Sequence, residues 1–343
     1  MLDKALRKLV ADLVASGAVT AVAAVVGDGQ SILAQARGGW RDAGQKMPVR
    51  RWDRFDLASL SKPWVATLAL RLDQAGLLPL RAAIGELLPQ APLELARQEL
   101  QALLRHRSGL IAWRPLYRQL LGPQRAIEGI LGNDSLGAPA GTYSDLGYIV
   151  WQAAAEAAIG ASLCELLSRH VYQPLRLSTV GSAPAPDRAV ACALDNSREV
   201  ELAANLGVRV ARAEPGPVGV VQDGNARYLG GLAGHAGLFA SAHALWRLGA
   251  EWLRPGPFLE PAVVARALAG SGRRRLGWWR KTAAAAATGP LSSDSFGHHG
   301  FTGGSLWIDP QRQRVAVLMA QRSAVSVDLD PWRRDFHRLV VAS

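Results

Sequence analysis

The sequence predicts an α/β (α+β) protein whose antiparallel sheet is assembled from both ends of the chain, flanked by the terminal helices, with a mainly helical subdomain between them. Three observations carry this expectation. The first residues form an amphipathic helix followed by β-rich runs, and the last sixty do the reverse, two β-rich runs and then a helix. From about residue 62 to 270 the pattern is helical, broken by loops rich in Gly and Pro. Sequence-distant strands of one kind at both ends belong in one sheet. The expected organisation is one continuous domain, with residues 1–61 and 270–343 building the sheet subdomain and residues 62–269 the helical one.

Taken in order, MLDKALRKLVADLVASG places Leu2, Leu6, Leu9, Val10, Leu13 and Val14 on one face, with charges on the other. It reads as a helix and not as a signal sequence. AVTAVAAVVG (18–27) is apolar enough for a buried strand, and SILAQARGG (31–39) follows as a second extended run. Helices are expected over 63–76, 95–106, 145–160 and 242–253. The stretches 182–190 and 215–219 read as surface excursions, and AAAAATGPLSSDS (283–295) as a low-complexity connector. SLWID and RVAVLMA, joined by PQRQ, form a hairpin pattern. PWRRDFHRLVVA (331–342) closes the chain as a helix. There is no internal repeat.

The net charge of +11 raises nucleic-acid binding as a possibility, but the basic residues are scattered. They come without a helix-turn-helix, zinc-finger or RNA-binding aromatic motif, so no nucleic-acid partner is expected. Cys164 and Cys192 are the only cysteines and lack metal spacing. HExxH, GxSxG and GxxxxGK are all absent, and no cofactor or metal is expected. No run reaches the roughly 18 apolar residues a membrane span needs. With no signal peptide visible, the expected location is cytoplasmic; the oligomeric state is left open. The eleven tryptophans are expected in the core and the cleft.

The chemistry is concentrated in FDLASLSKPW (55–64). The chain has five lysines against thirty-four arginines, and Lys62 alone has a serine three residues before it, Ser59. A Ser and a Lys one helical turn apart share a face, so the amine reaches the hydroxyl. A hydroxyl is a poor nucleophile until its proton is taken, and a desolvated lysine can take it where an arginine cannot. This is a physical reason for a lysine to persist in an arginine-biased chain.

FDLASLSKPW resembles the nucleophile segment of serine β-lactamases and penicillin-binding proteins, in particular the class C β-lactamase branch and its esterase relatives. The resemblance continues in order along most of the chain. LLRHRSGL (103–110), PAGTYSDLGYIV (139–150), LAGHAGLFASAHAL (232–245) and FGHHGFTGGSLWIDP (296–310) resemble successive family segments, and residues 176–225 resemble it least. The resemblance implies a β-lactamase/transpeptidase-like fold. It implies Ser59 as acylated nucleophile, Lys62 as its activating partner, Tyr143 as proton shuttle, and the backbone N–H groups of Ser59 and Phe301 as oxyanion hole. His298, His299 and Gly300 would stand where the family has its Lys-Thr-Gly strand. Lys281-Thr282-Ala283 is a more literal match, but it lacks the glycine and a following strand.

Two departures matter. Asp145 replaces the family's Asn and contributes only acceptors, so it should keep Lys62 charged; the expectation is that Lys62 then lowers the pKa of Tyr143, which acts as phenolate base. His298 replaces a lysine and should be neutral at pH 7–8, which predicts weak selection for carboxylate-bearing substrates. His106 and His235 are expected to be structural hydrogen-bonders. Together these readings point to a serine hydrolase acting on an ester or amide of a small molecule or cell-wall-type peptide, esterase-like first. The alternatives are a D-alanyl-D-alanine-type peptidase or β-lactamase, a catalytically silent peptide binder, and acyl transfer to an acceptor other than water.

Overall fold

The computed structural model describes all residues except 43, 45, 119–121, 123–124 and 283–285. Its described helices longer than eight residues are α1 (Leu2–Ala15), α2 (Ser61–Gln74), α3 (Asp145–Ile159), α4 (Ser197–Asn205), α5 (Ala242–Leu253) and α6 (Asp330–Val341). Ten strands accompany them: β1 (Val19–Gly27), β2 (Ile32–Asp42), β3 (Met47–Pro48), β4 (Phe55–Asp56), β5 (Val180–Gly181), β6 (Phe239–Ala240), β7 (Trp279–Arg280), β8 (Phe296–His299), β9 (Ser305–Asp309) and β10 (Arg314–Arg322). No described helix is long and apolar enough to cross a membrane.

Seven strands form one antiparallel sheet in the order β3-β2-β1-β10-β9-β8-β7, so the first and last parts of the chain meet at its centre. β1 is apolar on both faces because both faces are covered. Val22, Ala24 and Val26 pack toward α1 and α6, while Ala21 and Val25 join the larger core on the other side. A bulge between Val19 and Ala21 resets this alternation, letting Val19 share the first face with Val22. β10 alternates in the same way, with Ala316, Leu318 and Ala320 on one face and Val315, Val317 and Met319 on the other. Against the first face lie Leu6, Leu9, Val10 and Leu13 of α1 and Phe336 and Val340 of α6. Against the second lies α5, with α2 and α3 beyond it in the same core. The predicted antiparallel sheet between terminal helices and a helical body is thus the observed fold.

A second, three-stranded sheet, β4-β6-β5, is made of two-residue strands. It matters because β4 leads directly into the serine. Leu57 N–H donates to Leu238 O (2.9 Å) just past that pairing, which ties the serine segment to the loop before β6.

Two expected elements differ. The helix expected over 95–106 is two short ones, Leu93–Ala96 and Leu100–Leu104. Between them the backbone is taken by another segment: Ile84 N–H donates to Gln98 O and Leu100 N–H to Ala82 O. A tertiary pairing outcompetes the helix there. The connector expected over 283–295 lies partly outside the described residues; from residue 286 it makes a turn that packs on α6.

Phe336 is wholly buried between α6 and the sheet. Phe336→Ala is expected to cost about 3–5 kcal/mol in urea unfolding, the range for large-to-small changes in a packed core.

Candidate active site

Ser59 sits in a 3-10 turn (Ala58–Leu60) immediately before α2, not within the helix itself. The turn is sharp. Ala58 has φ +44°, a conformation that costs a residue with a Cβ about 1–3 kcal/mol and persists only when its surroundings enforce it. Asp56 enforces it: one carboxylate oxygen accepts the Ala58 N–H (2.9 Å) and the other the Gln222 N–H (2.7 Å). Burial pushes the Asp56 pKa up to about 6.

Lys62 is 0 % exposed. Its ammonium meets three acceptors: Asp145 Oδ1 at 2.6 Å, Ser59 Oγ at 2.9 Å and His235 O at 3.3 Å. Burial pushes its pKa down, yet Asp145 opposes burial most strongly, and Lys62 is held above the ordinary lysine value. Its Nζ also stands 4.7 Å from the centroid of the Tyr143 ring. Lys62 at rest is a cation with all three donors engaged.

Tyr143 arrives on the loop before α3, whose N-cap Ser144 accepts the Gly147 N–H through its hydroxyl. The Ser144 N–H donates in turn to His106 Nδ1 (3.0 Å), and the His106 ring packs 4.5 Å from that of Tyr143. His106 therefore carries its proton on Nε2; burial, and next Lys62, keep its pKa well below the ordinary value. His235 uses Nε2 against Asp223 Oδ1 (3.0 Å) while its carbonyl faces Lys62. Both histidines are structural hydrogen-bonders, as expected. The Tyr143 phenol is raised above its ordinary value, because burial exceeds the opposing pull of Lys62. The expectation of a lowered, phenolate-ready Tyr143 is corrected: in the resting site Tyr143 keeps its proton.

β8 delivers the remaining wall. Gly300 follows it, and a Cβ there would lie 2.4 Å from Leu57 O, so only glycine lets this strand approach the serine turn so closely. The N–H groups of Ser59 and Phe301 donate to none of the turn, cap or side-chain acceptors among the described residues around them. Lys281 is engaged elsewhere, donating to the carbonyls of Gly289 and Leu291. His298 is 1 % exposed and lies behind the cavity wall, 4.7 Å from the Trp279 ring and 6.0 Å from that of Tyr143. Its Nδ1–H donates to His299 O (2.8 Å), leaving Nε2 as a buried acceptor without a partner among the described residues. Burial, then Lys62, drives its pKa well below the ordinary value, so it is neutral as expected. His299 borders the cavity but commits Nε2 to accepting from Trp307 Nε1 (2.9 Å).

Ser59, Tyr143, Asp145, Gly300 and Phe301 line a single open cavity of about 530 Å³. Several of its walls had no sequence signal. Glu199 on α4 accepts from Tyr117 Oη (2.7 Å) and Gly224 N (2.7 Å), and comes from the stretch with the least family likeness. Arg274, one of the basic residues that look scattered in the sequence, places its guanidinium 4.9 Å from the rings of both Tyr143 and Trp279. It makes no ion pair among the described residues, so a cation does face this cavity although His298 is neutral.

A family model for Beta-lactamase matches residues 6–338. No curated protein matches the chain. Among solved structures, "EstCE1, a hydrolase with promiscuous acyltransferase activity" is similar at 20% identity over 99% of this chain and 98% of its own, with TM-score 0.81. A β-lactamase/D-alanine carboxypeptidase from Pseudomonas syringae is similar at 16% identity over 100% and 99%, with TM-score 0.76. A class C β-lactamase from Rhodobacter sphaeroides is similar at 16% identity over 99% of both chains, with TM-score 0.74.

Asp145 raises the pKa of both Lys62 and Tyr143. Removing its charge frees a proton from this pair at lower pH, whichever of the two acts as base. In Asp145→Asn the rising limb of the pH–rate profile on an aryl ester is therefore expected to move to lower pH; an unmoved limb would show that neither group governs it.

Proposed function

Since the chain belongs to the β-lactamase family, we propose that it is a serine hydrolase that passes through an acyl-enzyme on Ser59, with small esters as its preferred substrates and amides next. The observation that carries this reading is the convergence of Ser59, Tyr143 and the Gly300–Phe301 segment on one open cavity, with the buried Lys62 Nζ bonded to Ser59 Oγ (2.9 Å). In the working form the Lys62–Tyr143 pair has lost one proton and takes the proton of Ser59 Oγ. The oxygen attacks the substrate carbonyl carbon, and the negative charge that develops is received by the N–H groups of Ser59 and Phe301. The pair returns its proton to the leaving oxygen or nitrogen as that bond breaks. Water, activated by the same pair, then releases the acyl group. As two coupled groups, Lys62 and Tyr143 titrate together.

Esters come first because of the resting charges. With Lys62 protonated and Tyr143 neutral, the base form is the minority state. An alkoxide or phenoxide leaves with less help from a general acid than an amine requires. A second reading, a peptidase of D-alanyl-D-alanine type, is favoured by Arg274, whose free guanidinium beside Tyr143 suits a C-terminal carboxylate. A silent binding protein would have no need of a saturated Lys62 beside a strained serine turn.

A fluorophosphonate probe read by intact mass is expected to add one adduct, lost in Ser59→Ala, with esterase activity reduced by at least about a thousandfold. Absence of any adduct would favour the silent binder. Short-chain aryl esters, a D-Ala-D-Ala peptide and a β-lactam assayed side by side should rank in that order at pH 8. Arg274→Gln is expected to raise KM for the carboxylate-bearing substrates alone; equal effects on neutral esters would count against its proposed contact.

A further inference from the structure

Arg322 ends β10 and lines the same cavity as Ser59. Its backbone N–H donates to Thr302 O (2.9 Å), which holds it beside the segment that follows Gly300. Its guanidinium donates to Phe301 O, to Val325 O (3.0 Å) and to Val327 O (3.2 Å), and lies 4.8 Å from the centroid of the Phe301 ring. All three acceptors are neutral carbonyls, and no carboxylate forms an ion pair with Arg322 among the described residues. A planar guanidinium fits such divergent acceptors, as a lysine ammonium on its flexible stem does not.

The rest of that segment is pinned too. Gly300 N–H donates to Gly304 O (2.8 Å), Thr302 Oγ1 to Asp56 O (2.7 Å), and Arg333 Nη2 to Gly303 O (2.9 Å). Asp56 is the residue that holds the serine turn, so both halves of the oxyanion hole hang on one framework. Arg333 spends part of its charge on Asp330, at 2.9 Å. Arg322 forms no ion pair with an acid among the described residues, and Asp328 acts on it only from a greater distance. Partial burial, reinforced by Arg333, depresses its pKa.

We propose that Arg322 is a positioning residue for acyl transfer: it fixes the Phe301 carbonyl, and through it the residue whose N–H receives the oxyanion, and brings a positive charge to that segment. This rests on the acyl-enzyme reading above. Asp328 on the cavity wall acts on this charge without forming an ion pair with it among the described residues, and the charge meets a closer anion as the tetrahedral intermediate forms, so it stabilises the transition state more than the bound ester.

The test compares Arg322→Lys and Arg322→Gln with the unaltered protein in steady-state hydrolysis of a neutral aryl ester. It adds the affinity of an arylboronic acid, which becomes a tetrahedral anion on Ser59, and the melting temperature. Arg322→Gln is expected to lose about 10- to 100-fold in kcat with KM little changed, and boronate affinity should fall in step. Arg322→Lys, which keeps the charge but not the fork, should recover part of both losses even if its melting temperature is no higher than that of Arg322→Gln. Unchanged kcat in Arg322→Gln overturns the proposal. So does a lysine variant no better than glutamine, or a boronate affinity that stays constant while kcat falls. An unaltered protein that neither hydrolyses esters nor is labelled at Ser59 refutes the acyl-enzyme reading itself, a result distinct from all of these.

Discussion

A wholly buried ammonium has three N–H donors and no water to give them to, and the surroundings of Lys62 are organised around that demand. Ser59 Oγ and the His235 carbonyl accept hydrogen bonds from it and the Asp145 carboxylate pairs with its charge, and the three come from separate parts of the chain. Removing one partner from a buried charge costs far more than the pair contributes, so each acceptor is tightly constrained. The acceptors bring their own supports. Asp145 opens α3 on the Ser144 cap, and that cap is fixed by His106. The His235 carbonyl is fixed because its ring is held on Asp223, which in turn caps the Ala226 N–H. Burial alone would raise Asp223, but His235 and that N–H hold its pKa down at about 2. A single lysine thus couples the nucleophile turn, α3 and the loop before β6.

The second constraint is the approach of β8 to the serine turn. A Cβ at Gly300 would strike Leu57 O, and Leu57 is itself tied to Leu238. The seven-stranded sheet and the small three-stranded sheet therefore meet at the Ser59 turn. This is the structural sense of a sheet built from both chain ends. The N-terminal strands and β10 form a stable centre, and the C-terminal strands carry Gly300 and Phe301 to a turn encoded more than two hundred residues earlier.

Much of this was legible in the sequence where a pattern repeats locally. The buried β1 follows from its continuous apolar run, and the β9–β10 hairpin and the amphipathic α1 follow from local pattern, because those elements bury whole faces. The Ser59–Lys62 spacing was legible because it is a local contact. The two-residue strands β4, β5 and β6 were not, since only tertiary pairing defines them. The break at Gln98 was hidden for the same reason. Glu199, Arg274 and Arg322 reach the cavity from distant or weakly family-like segments, and arginine is too common in this chain for any one to stand out. The direction of the Tyr143 shift could not be read from residue types either. It depends on whether burial or Lys62 prevails, and that is a matter of packing.

The charges of the site follow from the same lysine. His106 and His298 are both buried, and Lys62 is the next largest influence pushing each toward neutrality. A histidine at position 298 therefore cannot serve as a substrate-holding cation while Lys62 is protonated. Two desolvated positive charges around one phenol would repel without water between them. The cations that do face the cavity, Arg274 and Arg322, are only partly buried and rest on aromatic rings or backbone carbonyls. Guanidinium groups are more weakly hydrated than ammonium groups and hold their proton through such burial, so they tolerate these positions where a second lysine would lose its charge. The arginine bias of the chain and its one buried lysine are then complementary: arginine where charge must stay fixed, lysine at the single place where a proton has to move.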